Sequence, residues 1–394
     1  MKGPVYLDHN ATTPLRSEVR ERLLAELDAL GGNPSSVHSA GRRARAVVDA
    51  ARARVAAALG VAEQECVFTS GGTEANNLAL FGALRRHAPP AGLVTSAIEH
   101  SSVLEPAAQL EQEGFAVCRI APDREGRLAA QAVLEAAADP ACRLVSIMAA
   151  NNEVGSTAPL GVIGAGLRAA TGGHRPLLHT DASQALGRLP VDLAGWGVDL
   201  ASFSAHKIGG PLGVGLLVRR RGAPLAPLLA GGGQEAGLRA GTENAPALSA
   251  AALAVELAVN DLDTYRERVG KQTAALWALL AEAVPGTRLL GPAINAPDRL
   301  PNPLAVLLPG ARRQLLVARL DLEGVAVSAG SACASGSIEP SHVLTAMGCT
   351  EDEARGALRI SLGRETSPEQ TRRAVDILRR TAAAPTPTQE ARPQ

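Results

Sequence analysis

A lysine closes the segment Ser202-Phe203-Ser204-Ala205-His206-Lys207, where an apolar run ends just before Gly209-Gly210-Pro211. Its amine can form a Schiff base with an aldehyde, most readily where partial burial or a nearby cation lowers its pKa. A lysine in a loop is by itself usually a solvated charge, so its significance depends on the company it keeps. Val67-Phe68-Thr69-Ser70-Gly71-Gly72-Thr73-Glu74 reads as a strand, a glycine pair and a helix start. Backbone amides there, with the Thr73 hydroxyl, make a phosphate cradle; a plain turn capped by Ser70 or Thr73 would look the same. The absence of G-x-G-x-x-G speaks against a dinucleotide.

Asp181 ends the run Leu177-Leu178-His179-Thr180-Asp181, and Gln184 follows three residues later. A carboxylate in this place can hold a pyridinium nitrogen protonated, turning a ring into an electron sink, or it can cap the next helix. Gln184 can donate to a phenolate oxygen on the same ring. His100, just past another strand, is placed to stack on a flat cofactor and move protons, or to cap a helix. Asn151 and Asn152 follow a further strand, where asparagines usually form turns. Five polar clusters at five strand ends of one sheet are harder to explain as five separate turns.

Five cysteines without a C-x-x-C pair argue against a disulfide framework or a zinc site, and no metal is expected. Cys66, Cys118 and Cys142 sit among strand residues and read as small core side chains. Cys333 stands apart: its surroundings, Ser328-Ala329-Gly330-Ser331-Ala332-Cys333-Ala334-Ser335-Gly336-Ser337, are the composition of an exposed, mobile loop.

The elements that must position these residues alternate. Short apolar runs at 65–69, 92–96, 116–120, 143–148, 176–179, 199–203 and 213–218 are separated by longer Ala/Leu/Arg-rich stretches. That is the signature of a mostly parallel sheet of seven strands covered by helices, with ligands at the carboxyl ends of the strands. One long helical region, 246–282, leads to a second set of strands at 304–308, 325–327 and 357–361. The expected organisation is an N-terminal arm (1–14) packing on the smaller domain, a large α/β domain (15–260), a small α+β domain (261–381) carrying the Cys333 loop, and a disordered Pro/Thr tail (382–394).

With 39 basic and 39 acidic residues, no global field favours nucleic acid or an anionic membrane. The apolar tract 245–259 is interrupted by Pro246 and Glu256 and reads as a buried helix rather than a membrane span. No export-type leader is apparent, and with unpaired cysteines a reducing cytoplasm is expected.

Tyr6-Leu7-Asp8-His9-Asn10-Ala11-Thr12-Thr13-Pro14, Asn33-Pro34-Ser35-Ser36, Gly72-Thr73-Glu74, Asn151 to Gly155, Asp181 to Gln184 and Ser202 to Lys207 together resemble the cysteine desulfurases. These are pyridoxal 5′-phosphate (PLP) enzymes of the fold-type I, class V aminotransferase group. The resemblance continues through Gly231-Gly232-Gly233-Gln234-Glu235, Arg239-Ala240-Gly241-Thr242, the Cys333 loop with Glu339-Pro340-Ser341, and Arg359-Ile360-Ser361-Leu362-Gly363-Arg364. Its Cys333 segment looks like the long-loop, NifS/IscS-like branch.

The resemblance implies that Lys207 tethers the cofactor, Asp181 pairs with the ring nitrogen, Gln184 with the phenolate oxygen, and His100 stacks on the ring. Gly72, Thr73, Ser204 and His206 would hold the phosphate, joined by Thr242 of a second subunit in a homodimer. Asn33, Asn152 and Arg359 would bind the substrate carboxylate, Asn152 also touching the cofactor. Cys333 would take sulfur from L-cysteine as a persulfide, leaving L-alanine, and pass it to an iron–sulfur scaffold or another sulfur carrier, with at most transient contact to a cluster. Thio-cofactor synthesis and tRNA thiolation are further destinations for the sulfur. Selenocysteine lyase and cysteine-sulfinate lyase on the same scaffold are rival readings, but depend less on the thiol; a non-catalytic sulfur-relay or scaffold-binding protein is a rival of another class. The chain departs from the family in a slightly longer stretch around Gly172-Gly173-His174-Arg175-Pro176, expected to be a surface loop. Its C-terminal tail also replaces the longer extension with which housekeeping members dock the iron–sulfur scaffold.

Overall fold

The computed structural model describes residues 4–169, 175–309, 313–329 and 340–383. Cys333 and its neighbours, Gly172 to His174, and the tail beyond 383 lie outside these residues. The strands in chain order are β1 (Val5–Tyr6), β2 (Cys66–Thr69), β3 (Gly92–Ser96), β4 (Ala116–Ile120), β5 (Cys142–Ser146), β6 (Leu177–Asp181), β7 (Leu200–Ser204), β8 (Gly215–Arg219), β9 (Arg288–Leu290), β10 (Pro303–Leu307), β11 (Val325–Ala326) and β12 (Ala357–Ser361).

The central sheet has seven strands in the order β2-β8-β7-β6-β5-β3-β4. β3 through β7 pair in parallel, while β8 runs antiparallel to both β2 and β7. β2 therefore points the same way as β7, so the carboxyl ends of β2, β7, β6, β5 and β3 share one edge. The inner strands are almost wholly buried because helices cover both faces. Val48 and Val55 of the helix Ser39–Leu59 pack with Ala250 and Ala254 of the helix Ala245–Asn260 on one face. Leu78 and Leu80 of the helix Gly72–Leu84 pack with Val103 and Leu110 of the helix Ser101–Gln112 on the other.

β4 forms the sheet edge, which corrects one expectation: Cys118 is exposed, while Cys66 and Cys142 are buried as expected. Burial pushes the Cys66 thiol up to about 12 and the Cys142 thiol up to about 11, so both are inert.

The long helical region is two helices, Ala245–Asn260 and Leu262–Ala283, bent by 69° at Asp261. Asp261 is bound there by Arg16, at 2.6 Å, and by Arg364. No single helix among the described residues is long and apolar enough to cross a membrane. The second sheet is β12-β10-β9, antiparallel throughout, and includes the short β9 that periodicity does not reveal. The strand at 325–327 does not join it. Instead β11 pairs in parallel with β1, so the N-terminal arm lies against this part of the chain, with Leu7 wholly buried beside Leu304 and Ile360. The last helix, Pro368–Ala383, carries two residues assigned from sequence to the tail. Ile98, Met148 and Val154, all just beyond strand ends of the large sheet, pack against Ala305, Val343 and Leu344. This contact fixes the second sheet over the strand-end edge.

Candidate active site

A cavity of about 440 Å³ opens at that edge. It is lined by Gly72 and Thr73 after β2, His100 after β3, Asn152 after β5, Asp181 and Gln184 from the end of β6, Ser204, His206 and Lys207 from the end of β7, and Arg359 from β12. Residues spread over more than 280 positions of sequence thus meet because parallel strands deliver their carboxyl ends to one line and the second sheet, which carries Arg359, packs over that line.

The turn after β2 is built for close approach. Gly71 is the N-cap residue of the helix Gly72–Leu84 and provides no side-chain cap, so neither Ser70 nor Thr73 plays the capping role. The Ser70 N–H donates to Glu74 Oε2 at 2.8 Å, and Glu74 is held by Arg239 at 2.9 Å. The first helical amides have no partner within a helix, and Gly71, Gly72 and Thr73 line the cavity. A Cβ on Gly215 would lie 2.3 Å from the Gly71 carbonyl carbon, so β8 can carry only glycine beneath this turn.

Asp181 is buried, with its Oδ1 accepting from the Ser183 N–H at 2.9 Å and its Oδ2 from Asn76 Nδ2 at 2.8 Å. No helix follows directly, so its local role is to tie a turn. The other hydrogen of Asn76 Nδ2 goes to Ser102 Oγ at 2.8 Å. Ser102 Oγ lies 2.8 Å from His100 Nδ1, which also accepts from the Ser102 N–H at 3.1 Å. His100 is the cap of the helix Ser101–Gln112, and this bonding leaves the proton of a neutral ring on Nε2. Asn76, wholly buried in the helix Gly72–Leu84, therefore links the carboxylate to the imidazole. Sequence reasoning missed it, although it lies two residues past the quoted glycine motif; an amide on an otherwise apolar helix face is the signal that could have found it.

Lys207 Nζ donates to the carbonyls of Asn10 and Ala11, each at 2.7 Å. His206 Nδ1 is 3.0 Å from Thr12 Oγ1, and burial, with Lys207 and Arg188 nearby, lowers its pKa to about 4. Gln184 Nε2 donates to the Asn10 carbonyl at 3.0 Å. The arm thus provides carbonyls to two of the expected cofactor residues, a role that sequence reasoning did not assign to Asn10.

Arg359 is 1% exposed. Its guanidinium donates to Asp8 Oδ1 at 2.9 Å and to the Asn152 carbonyl at 3.5 Å, while its buried Nε has no partner among the described residues. Asn151 shapes the adjacent turn, its Oδ1 accepting from the Glu153 and Val154 amides. Two expected site residues are not brought into this cavity. Asn33 is exposed, its Oδ1 accepting from the Ser35 N–H at 2.9 Å, and Thr242 is exposed on a separate segment.

The donor set fits pyridoxal phosphate. It combines uncapped helix amides and hydroxyls for a phosphate, a buried carboxylate for a ring nitrogen, an amide for a ring oxygen, and an amine for the aldehyde.

A strand-edge cavity with these groups, on a sheet of this order, defines a class V aminotransferase: the chain belongs to that family, whose model, Aminotransferase class-V, matches residues 5–373. Within the family it groups with the cysteine desulfurases. A cysteine desulfurase of Cereibacter sphaeroides is 42% identical over 380 residues, covering 95% of this chain and 94% of its own. Among solved structures, a NifS-like protein is 36% identical with a TM-score of 0.88, covering 96% of this chain and 98% of its own. SspA in complex with cysteine is 33% identical with a TM-score of 0.77, covering 91% and 98%.

Proposed function

We propose that the chain is a PLP-dependent cysteine desulfurase that converts L-cysteine to L-alanine and receives the sulfur on Cys333. The observation that carries this reading is the convergence of Lys207, Asp181, Gln184 and His100 on one cavity that also holds the buried guanidinium of Arg359. Pyridoxal phosphate, when bound, supplies a sink for the electron pair released at the substrate α-carbon.

The chain's own residues do the rest. The amides at Gly72 and Thr73, the Ser204 hydroxyl and the His206 imidazole hold the phosphate, the neutral imidazole acting as a hydrogen-bond donor. Asp181 keeps a proton on the ring nitrogen, and Gln184 donates through Nε2 to the ring oxygen. Lys207 is the covalent tether and, once displaced by substrate, the base that takes the α-proton at Nζ. His100, fixed by Ser102, covers the ring and carries protons at Nε2 for the thiol steps. Arg359, with Asn152, binds the substrate carboxylate; Asp8 holds the guanidinium for it.

The Cys333 thiolate attacks the substrate sulfur: a sulfur–sulfur bond forms, the carbon–sulfur bond breaks, and protonation of the carbon yields alanine and a persulfide on Cys333. A second subunit would bring Thr242 to the phosphate and add Asn33 to the substrate site; both residues are exposed here, as are Val37 and Leu212, which supports a homodimer. The persulfide would then pass to an iron–sulfur scaffold or another sulfur-carrier protein in a reducing cytoplasm.

The test is sulfide and alanine release from L-cysteine by PLP-loaded protein, with Cys333→Ser beside wild type. Wild type forms both products. The Ser variant keeps its visible cofactor band but loses sulfide formation; full sulfide production by that variant would refute the persulfide step.

A further inference from the structure

Among the described residues, Arg188 is a buried cation with no carboxylate in its hydrogen-bond set. It is 2% exposed and follows the turn after β6, four residues beyond Gln184. NH1 donates to the side-chain oxygen of Gln184 and to the Gln184 carbonyl, the latter at 3.3 Å. NH2 donates to the His9 carbonyl at 3.2 Å and to the Lys207 carbonyl at 3.1 Å. The Tyr265 hydroxyl also hydrogen-bonds the guanidinium. One side chain therefore joins the arm, the turn after β6 and the turn that carries Lys207.

A guanidinium has donors only, so the Gln184 atom against it must be oxygen. The amide nitrogen then points the other way, where it donates to the Asn10 carbonyl at the cavity wall. Without Arg188 nothing in this bonding pattern distinguishes the two ends of the amide except the Asn10 carbonyl.

We propose that Arg188 is a positioning residue that locks the Gln184 amide with its nitrogen toward the cavity, so that the cofactor's ring oxygen meets a donor and never an acceptor. This rests on the PLP reading above. A donor beside that oxygen favours its ionised form, so losing the donor raises the pH at which the cofactor's visible absorption changes form. Other charged or titratable groups around the guanidinium and the lysine are His9 on the arm, His206 after β7, Tyr265 on the helix Leu262–Ala283, Arg359 on β12 and Asp181 on β6. All are retained in the variants.

The experiment is a spectrophotometric pH titration of PLP-loaded wild type, Arg188→Gln, Gln184→Met and the double variant. Arg188→Gln should raise the midpoint by about one pH unit. The double variant should titrate with Gln184→Met, because Arg188 acts through the amide. A wild-type midpoint for Arg188→Gln, or two shifts that add, would overturn the proposal, the second by showing that charge alone is at work. Should Arg188→Gln not fold, Arg188→Lys replaces the fork with a single donor group and should give a smaller rise; no rise overturns the proposal equally. If wild type shows no visible band with PLP, it is the cofactor reading that fails instead.

Discussion

Lys207 owes its position to β7 and its surroundings to the arm. Its Nζ sits between two backbone carbonyls, those of Asn10 and Ala11. Lys207→Ala should lose the covalent adduct that borohydride fixes on wild type, as read by mass spectrometry of the intact chain. It should also lower the rate of alanine formation by roughly 10²- to 10⁴-fold, the range of a lost general base. Survival of the adduct in the Ala variant would move the tether elsewhere. That Lys207, Asp181, Gln184 and His100 lie along one sheet edge was readable from sequence, because each is at a strand end or within four residues of one. Asn76, Asn10 and Arg188 were not, because their roles consist of contacts to residues up to 292 positions away, of backbone carbonyls that carry no sequence signal, or, for Arg188 and Gln184, of a side-chain pairing that only the turn after β6 creates.

At the scale of elements, the turn after β2 depends on β8 passing close beneath it. Gly215→Ala would put a methyl group 2.3 Å from the Gly71 carbonyl carbon. The strand or the turn must move, at a cost of about 1–3 kcal/mol. The displaced turn should hold phosphate poorly. The variant should therefore keep its far-UV circular dichroism while binding PLP at least tenfold more weakly by fluorescence titration; unchanged affinity would mean that the turn is not the phosphate site. The sheet itself was expected from the alternation of apolar runs and helical stretches, and the observed strands lie within about two residues of those runs. The antiparallel β8 and the pairing of β1 with β11 were not, since periodicity specifies which residues form strands and leaves partners open.

Across the whole molecule, three buried ionisable groups and the half-buried His206 set opposing pH dependences. Burial lowers His9, His179 and His206 from 6.5 to about 4. Their folded pKa values lie below the unfolded value, so the stability they contribute is present above about pH 6.5 and is lost as pH falls toward 4. Burial raises Glu99 from 4.5 to about 8, with Ser96 Oγ and the Met148 N–H donating to its Oε1. Its contribution has the opposite sign: it is present below about pH 4.5 and lost as pH rises through 8. Melting temperature should therefore rise from pH 4 to 6.5 and fall again toward pH 8 and above. Glu99→Gln should melt progressively higher than wild type as pH increases from 5 to 8.5, by differential scanning fluorimetry. A gap independent of pH would mean that Glu99 is ionised throughout.

The chemistry-bearing residues, the α/β class and the order of the strands along the chain follow from local sequence: side-chain type, apolar run length and glycine placement act over a few residues. The tertiary structure alone decided which strand ends share an edge, that the arm reaches Lys207, Gln184 and Arg359, and that a buried arginine orients the amide beside the lysine. Those outcomes depend on backbone carbonyls and on contacts between segments hundreds of residues apart, and these exist only once the two sheets have packed.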